Sequence, residues 1–220
     1  MNMSNMSGKI NCIIFDCDGT LVDSEKLGNQ VVIDLFAEYG VVVEPDEYRR
    51  LYRGVQLLEI IARLEAAHDV KTADDFVPRY RQRLDAMLEQ RLQPIPGIRD
   101  VLAHLSLPKC VATSAPQEKL RLCLGVTGLR PFFGDNLFSS YDINSWKPAP
   151  DLFLHAAQTM GFAPAECAVV EDSPVGVAAG LAAGMTTIHF NHNSEHEAIE
   201  GVVAIEHMAE LPAVLFDRIL

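Results

Sequence analysis

The sequence predicts an α/β protein: a parallel β-sheet covered by helices on both faces, with a block of helices inserted after the first strand. After residue 93, short apolar runs alternate with helical patterns, which is typical of parallel strands joined by helices. Between Ser24 and Leu92 the pattern is helical throughout. Because a lone first strand needs a sheet and the other strands follow the helical block, we interpret the block as an insert rather than a domain in series.

The first elements follow from apolar periodicity and helix-end signals. The apolar run from Ile10 to Phe15 predicts a buried strand. Ser24 can cap a helix to about Tyr39, and Gly40 stops it. The other helices of the block are predicted after Pro45, with Leu51, Val55, Leu58 and Ile61 on one face, and from about Asp75 to Leu92.

The proline-rich segment 93–97 breaks the helical pattern and starts the alternating part of the chain. We therefore predict a core domain from residues 1–23 and 95–220 and an inserted all-α helical bundle at 24–94. The predicted core helices are Ile98 to Leu105, Gln117 to Leu124, Asp151 to Met160 and Pro174 to Ala183, and the predicted strands are Lys109 to Thr113, Asn136 to Ser139, Cys167 to Val170 and Met185 to Phe190.

Polar side chains follow several of these strands at the point where each strand ends. In a parallel α/β sheet, ligands bind outside the carboxyl ends of the strands, so we expect these side chains to meet. Lys147, near the start of a later helix, is expected to join them, because a helix N-terminus favours anions. The residues concerned at the strand ends are Asp16 and Asp18, Thr113 and Ser114, and Glu171 and Asp172.

These residue types together indicate phosphoryl chemistry. Two or three carboxylates suit Mg²⁺, a hard cation that prefers oxygen ligands. Asp16 can attack phosphorus and form an aspartyl-phosphate, and Asp18 can protonate the leaving oxygen and then activate water. Thr113 and Lys147 are expected to bind the oxygens of the transferring group.

The chain resembles phosphatases of the haloacid dehalogenase superfamily over nearly its full length. The resemblance implies a Rossmann-like core and a helical cap inserted after the first strand. It also implies that Asp16 is the nucleophile and Asp18 the acid and base, that Asp16, the Asp18 backbone carbonyl and Asp172 bind the metal, and that Glu171 binds it directly or through water. The motifs that carry the resemblance are Asp16-x-Asp18-Gly19-Thr20, Thr113-Ser114, Lys147-Pro148 and Glu171-Asp172.

Within the superfamily, Cys17 and the segment 141–148 most resemble bacterial sugar-phosphate phosphatases, especially the 6-phosphogluconate phosphatase type. A mutase of the β-phosphoglucomutase type is the alternative. Such mutases resemble one another in a histidine early in the cap, where this chain has Gly28, and they tend to lack Thr20, so both positions favour hydrolysis. A more remote alternative is a phosphoacceptor signalling domain, which is shorter and has no helical insert.

Substrate choice is expected to come from the cap, which would close over the leaving group and exclude water. Arg53 is the candidate for binding a carboxylate or second anionic group of the substrate. Gly54 lies beside it in a turn that, by the family resemblance, faces the active site. We count Arg53, Gly54 and Ser114 as candidate substrate-binding residues.

Composition limits the possible partners and the cellular compartment. A formal net charge of −12 argues against nucleic acid and anionic membrane, but a small phosphate ester stays compatible. The five scattered cysteines are interpreted as reduced core thiols of a cytoplasmic protein, with Cys17 pointing away from the site. No apolar run approaches transmembrane length, and the first eight residues lack the apolar core of a signal peptide. We expect a monomer or a weak dimer.

Overall fold

The computed structural model describes residues 9–52, 55–192 and 196–219, and the chain divides into two compact units. One unit comprises the described residues up to Asp23 together with those from Gln93 onward, and the other is Ser24–Leu92. Pro94 lies with the first unit, where it forms a bridge with Val22.

Strands and helices alternate along the first unit, whereas the second unit contains helices alone among the residues described there. In chain order the elements are β1 (Cys12–Phe15), α1 (Glu25–Ala37), α2 (Pro45–Tyr52), α3 (Leu57–His68), α4 (Phe76–Arg91), α5 (Ile98–His104), β2 (Lys109–Thr113), α6 (Gln117–Val126), β3 (Leu137–Ser139), α7 (Ser140–Ile143), α8 (Asp151–Met160), β4 (Cys167–Glu171), α9 (Pro174–Ala182), β5 (Thr186–Phe190), β6 (Val203–Ile205) and α10 (Leu211–Ile219).

The strands of the first unit form one parallel sheet with the order β3-β2-β1-β4-β5-β6. The chain builds outward from β1 on one side and then crosses to β4 on the other, so the strand order reverses between β1 and β4. Such a reversal opens a crevice at the carboxyl ends of the two strands, where doubly wound sheets bind ligands.

Both faces of the sheet are covered, because successive residues of β1 point to opposite faces and all are buried. Cys12 and Ile14 belong to an apolar cluster that includes Phe153 of α8 and Ala179 of α9. Ile13 and Phe15 face the other way and are also 0% exposed. This two-sided burial explains why the strands are continuous apolar runs. The α/β class predicted from the sequence is confirmed.

In the second unit, α1 packs against α4 and α2. Phe36 of α1 contacts Phe76 of α4 with ring centroids 5.1 Å apart, and both are buried. Glu38, just after α1, accepts hydrogen bonds from Arg79 and Arg83 of α4. The helices therefore share their own apolar and polar contacts within this unit.

Several details differ from the sequence prediction, including the short helix α7, which was not predicted. The helix predicted through Leu51, Val55 and Leu58 is wrong: α2 ends at Tyr52, α3 begins at Leu57, and Leu51 and Leu58 are exposed. The strand β6 and the helix α10 were not predicted; β6 has only three residues and pairs with β5. No helix in the described part of the chain is long and apolar enough to span a bilayer.

Candidate active site

The reversal between β1 and β4 brings acidic residues from two separate motifs together. Phe15 of β1 pairs with Val170 of β4. The next residues, Asp16 and Glu171, therefore lie side by side at the carboxyl ends of these two central strands. The backbone N–H of Asp16 donates to the carbonyl of Val170 at 3.0 Å. Asp172 follows directly after β4. Carboxylate oxygens of Asp16, Glu171 and Asp172 all lie within 4.8 Å of one another.

One lysine enters this carboxylate cluster of Asp16, Glu171 and Asp172. The Lys147 ammonium donates to Asp16 Oδ1 at 2.5 Å, to Glu171 Oε1 at 2.8 Å and to the carbonyl of Ala112 at 3.2 Å. Its side chain is 5% exposed, and the two carboxylates are 8% and 2% exposed. Lys147 therefore holds two of the three acids in a buried, hydrogen-bonded arrangement.

The other oxygen of Glu171 is also bound by the protein. The backbone N–H and the hydroxyl of Ser173 donate to Glu171 Oε2 at 2.6 and 2.8 Å. Ser173 in turn caps α9 by accepting from the Gly176 N–H. A Cβ at Gly176 would lie 1.9 Å from Glu171 Cδ, so only glycine lets α9 approach this closely. Glu171 thus has protein partners on both oxygens and anchors Lys147.

Asp172 is contacted by Thr20, by His189 and by the Gly19 backbone. The hydroxyl of Thr20 donates to Asp172 Oδ1 at 3.2 Å, and a ring nitrogen of buried His189 lies 3.0 Å from the Asp172 carbonyl. Gly19 passes directly beside the carboxylate with a φ of +83°. The turn after β1 therefore brings backbone and a hydroxyl against Asp172.

Burial makes ionisation of this cluster expensive. Burial, helped by Glu171 and opposed by Lys147, raises the pKa of Asp16 to about 7. Burial together with the charges of Glu171 and Asp16 raises the pKa of Asp172 well above its usual value. Lys147 stays protonated, since the charges of Asp16 and Glu171 outweigh the effect of burial and raise the pKa of its ammonium.

The charge of the cluster fits a divalent cation. When all three carboxylates are ionised, the single ammonium leaves two negative charges uncompensated in a buried space. The raised pKa values of Asp16 and Asp172 reflect how unfavourable that state is without a cation, and a +2 ion would balance it. The donor atoms are carboxylate oxygens, which suit a hard cation such as Mg²⁺. The described residues thus fit the metal that the sequence predicts, with Asp16 and Asp172 having the fewest competing partners.

Asp18 lies outside the carboxylate cluster and has a lysine of its own. The Lys119 ammonium, on the first turn of α6, donates to Asp18 Oδ1 at 2.8 Å. The charge of Asp18 outweighs the effect of burial and raises the pKa of Lys119. Sequence reasoning missed Lys119. A basic residue in the first turn of a helix, where cations are disfavoured, is the signal that was available.

The remaining candidate catalytic and substrate-binding residues lie outside the carboxylate cluster or outside the described part of the chain. Thr113 ends β2, is 1% exposed and accepts a hydrogen bond from the Ala115 N–H, whereas Ser114 is exposed. Arg53 and Gly54 lie outside the described residues.

Cys17 is 1% exposed, and a hydrogen bond with Cys123 together with burial raises its pKa well above that of a free thiol. Cys17 is therefore a neutral core thiol and not a nucleophile.

Replacing Gly19 with alanine is expected to damage the cluster, because the new Cβ would lie 2.1 Å from Asp172 Oδ2. Gly161→Ala is the matched control: its φ of +82° carries the same backbone strain, but nothing lies within 4 Å of the added Cβ. We expect G161A to lose about 1–2 kcal/mol of stability and to keep its activity. G19A should lose more stability and about 10²-fold in kcat, since small displacements of reacting groups have effects of that size. Equal activities for the two variants in a phosphate-release assay would contradict this expectation.

A family model described as haloacid dehalogenase-like hydrolase matches residues 10–184. The chain belongs to this family. As a haloacid dehalogenase-like hydrolase it has named relatives that place its activity among the phosphoric monoester hydrolases. The resemblance inferred from the four motifs is confirmed. The family assignment also favours a hydrolase over a phosphoacceptor signalling domain.

Three similar proteins illustrate the match. The 6-phosphogluconate phosphatase of Escherichia coli (strain K12) is 34% identical over 209 residues, covering 93% of this chain and 94% of the relative. A haloacid dehalogenase-like protein of unknown function from Agrobacterium tumefaciens has a TM-score of 0.84 at 32% identity, covering 94% of this chain and 98% of that one. A HAD family hydrolase from Deinococcus radiodurans R1, solved with bound phosphate and sodium, has a TM-score of 0.81 at 29% identity, covering 96% and 97%. The Rossmann-like core predicted from the resemblance is thus confirmed.

Proposed function

We propose that this hydrolase is a Mg²⁺-dependent phosphatase that cleaves the phosphate monoester of a small sugar or sugar acid, such as 6-phosphogluconate, through an aspartyl-phosphate. One observation carries the proposal: the buried cluster of three carboxylates has only Lys147 as a cationic partner among the described residues. Such a site suits a divalent cation together with a phosphate dianion, and it disfavours a neutral substrate.

In the proposed first step, a carboxylate oxygen of Asp16 attacks phosphorus and the bond to the leaving oxygen breaks. Asp18 gives its proton to that oxygen, so that a neutral alcohol departs. In the second step Asp18 takes a proton from water, which attacks the aspartyl-phosphate and releases inorganic phosphate and the Asp16 carboxylate. The separation of Asp16, in the cluster, from Asp18, beside Lys119, supports two different roles for the two acids.

The transferring phosphoryl group would be bound by residues at the end of β2 and by Lys147 in the loop before α8. Lys147 and the Thr113 hydroxyl would donate to its oxygens, with Ser114 at the exposed end of the same loop. Asp16 and Asp172 would hold Mg²⁺ with the Asp18 backbone carbonyl, and Glu171 would orient Lys147 or bind metal-held water. The bound Mg²⁺ would neutralise charge on the phosphate and so allow an anionic nucleophile to approach.

The substrate class is supported by the relative from Escherichia coli, which is named for 6-phosphogluconate. The test is release of inorganic phosphate from a panel of phosphorylated sugars, sugar acids, polyols and nucleotides with Mg²⁺. We expect sugar or sugar-acid phosphates to give the highest kcat/KM values. A preference for nucleotides, or no phosphate release from any ester, would contradict the proposal.

The same assay separates a phosphatase from a mutase of the β-phosphoglucomutase type. The protein is incubated with a hexose 1-phosphate and a bisphosphate primer, and both free phosphate and isomerised sugar phosphate are measured. We expect free phosphate, since Gly28 on α1 supplies no imidazole and Thr20 contacts Asp172. Isomerised product without free phosphate would overturn the phosphatase proposal.

We further propose that the helical unit is the cap and that Arg53 selects acidic substrates. Replacing Arg53 with alanine should raise KM for 6-phosphogluconate by about 10- to 100-fold, because a bond between charged groups contributes about 1.5–3 kcal/mol. KM for a small neutral phosphate ester should change little. Arg63→Ala is the control, since Arg63 forms an exposed ion pair with Glu59 on α3. Equal effects of Arg53→Ala on both substrates would remove Arg53 from the specificity role.

Compartment and assembly are part of the same proposal. The five cysteines are buried and free of disulfides, which supports a reducing compartment such as the cytoplasm. We propose a monomer or a weak dimer that binds a small phosphate ester and, given its charge of −12, neither nucleic acid nor membrane. Sedimentation velocity over a range of concentrations tests the state of assembly.

A further inference from the structure

Lys119 occupies a position that lysine ordinarily avoids. It is the third residue of α6, in the first turn, where the partial positive charge of the helix N-terminus disfavours a cation. Its side chain is only 23% exposed, although an ammonium group is costly to remove from water. Lys119 therefore departs from the usual preferences both in its place on the helix and in its burial. Departures of this kind concentrate at functional sites.

The contact that Lys119 makes is with the proposed acid and base. Its ammonium lies 2.8 Å from Asp18 Oδ1. The backbone at Asp18 is already fixed by a tight turn, in which the Gly19 N–H donates to the Val22 carbonyl at 2.9 Å and the Leu21 N–H donates to the Cys17 carbonyl at 2.9 Å. What a side-chain partner can still control is therefore the direction of the Asp18 carboxyl group.

The two lysines of the candidate site form hydrogen bonds with different carboxylates. Lys147 binds Asp16 and Glu171, and Lys119 binds Asp18. We propose that Lys119 is a positioning residue that directs the Asp18 carboxyl group toward the leaving oxygen. This inference rests on the proposed function, since it assumes that Asp18 transfers a proton in the first step. Lys119 itself would touch neither phosphate nor metal.

The leaving group provides a readout that a purely structural role would not change. An alkyl phosphate such as 6-phosphogluconate must receive a proton on its leaving oxygen as the P–O bond breaks. In p-nitrophenyl phosphate the leaving oxygen departs as a stable anion and needs little help from an acid. Misdirecting Asp18 should therefore slow the alkyl ester far more than the aryl ester, whereas general damage to the fold should slow both.

The experiment measures kcat and KM of Lys119→Met and of Lys109→Met on both esters. Lys109 is a partly buried lysine at the opposite end of β2 with no charged partner among the described residues. We expect K119M to lower kcat for 6-phosphogluconate, or for the best alkyl ester of the panel, by about 10- to 100-fold with KM unchanged. For p-nitrophenyl phosphate the loss should stay below about threefold, well under the range of acid catalysis. K109M should keep wild-type kinetics on both.

Two further variants separate failure of this inference from failure of the proposed function. Asp18→Asn should show the same contrast between esters, and the double variant D18N/K119M should be no slower than D18N, because residues that act as a unit are non-additive. If D18N shows the contrast and K119M does not, the role of Lys119 is overturned alone. If D18N shows no contrast, the proton-transfer role of Asp18 fails, and the Lys119 inference fails with it. Should K119M not fold, Lys119→Gln is assayed in the same way with the same criteria.

Discussion

Replacing Asp16 with asparagine is expected to abolish turnover. The amide keeps the size of the side chain and can still contact Lys147, but it lacks the carboxylate needed to attack phosphorus. Loss of a nucleophile lowers kcat by about 10⁴-fold or more in well-studied enzymes, and we expect a loss of that size here. The measurement is phosphate release from the best substrate of the panel at saturating Mg²⁺.

Stability measurements distinguish this loss from unfolding. The pKa of Asp16 is raised from 3.8 to about 7, so ionising Asp16 destabilises the folded state. This destabilisation is absent at low pH and increases as the pH rises through this interval. Asparagine does not ionise, so without metal the melting temperature of D16N at pH 8 should be no lower than that of the wild type. Any gain in the melting temperature of D16N over the wild type should disappear below the ordinary carboxyl pKa. Asp85→Asn, at an exposed position of α4, is the control and should keep full activity. Appreciable turnover by folded D16N would exclude Asp16 as the nucleophile.

Removal of Mg²⁺ is the second change expected to have a very large effect. Chelation with EDTA should reduce activity to background, and added Mg²⁺ should restore it. The physical reason is the buried cluster of Asp16, Glu171 and Asp172, which has only one ammonium to balance three carboxylates in the described structure. Without a cation, ionised carboxylates of this cluster would repel the phosphate dianion, and a protonated Asp16 could not attack phosphorus.

Metal binding should also be visible without any substrate. A ligand at 100 times its dissociation constant stabilises a protein by about 2.7 kcal/mol, so Mg²⁺ should raise the melting temperature of the wild type. Asp172→Asn removes one proposed ligand and should reduce this shift strongly, whereas D85N should leave it unchanged. Full activity in EDTA, or a shift that D172N leaves intact, would contradict the proposed metal site.

Much of the fold could be predicted because local patterns and global structure agree in the core. Each strand that was predicted is an apolar run buried on both faces, and each is bounded by turn or helix signals. The prediction failed where local patterns conflict with packing: Leu51 and Leu58 have helical spacing, yet both are exposed and belong to different helices. A three-residue strand such as β6 carries too few residues for any period to be read.

The candidate site could be predicted as a set of residues but not as an arrangement. Asp16 and Glu171 were placed at strand ends from sequence alone, and the register of β1 with β4 then brought them together. The partners of each acid depend on contacts between residues far apart in the chain, such as Lys119 with Asp18. No spacing rule within one motif reports such a contact.

By itself, the sequence predicted a parallel α/β core with a helical block after its first strand, and it predicted that the polar residues of four motifs would meet at the carboxyl ends of the strands. It did so because strand ends are legible from apolar runs and parallel strands align their carboxyl ends. Only the tertiary structure decided which charges pair: Lys147 with Asp16 and Glu171, and Lys119 with Asp18. The pairing follows from strand order and from how closely the glycines at 19 and 176 let the backbone approach the acids, and both are properties of the folded chain.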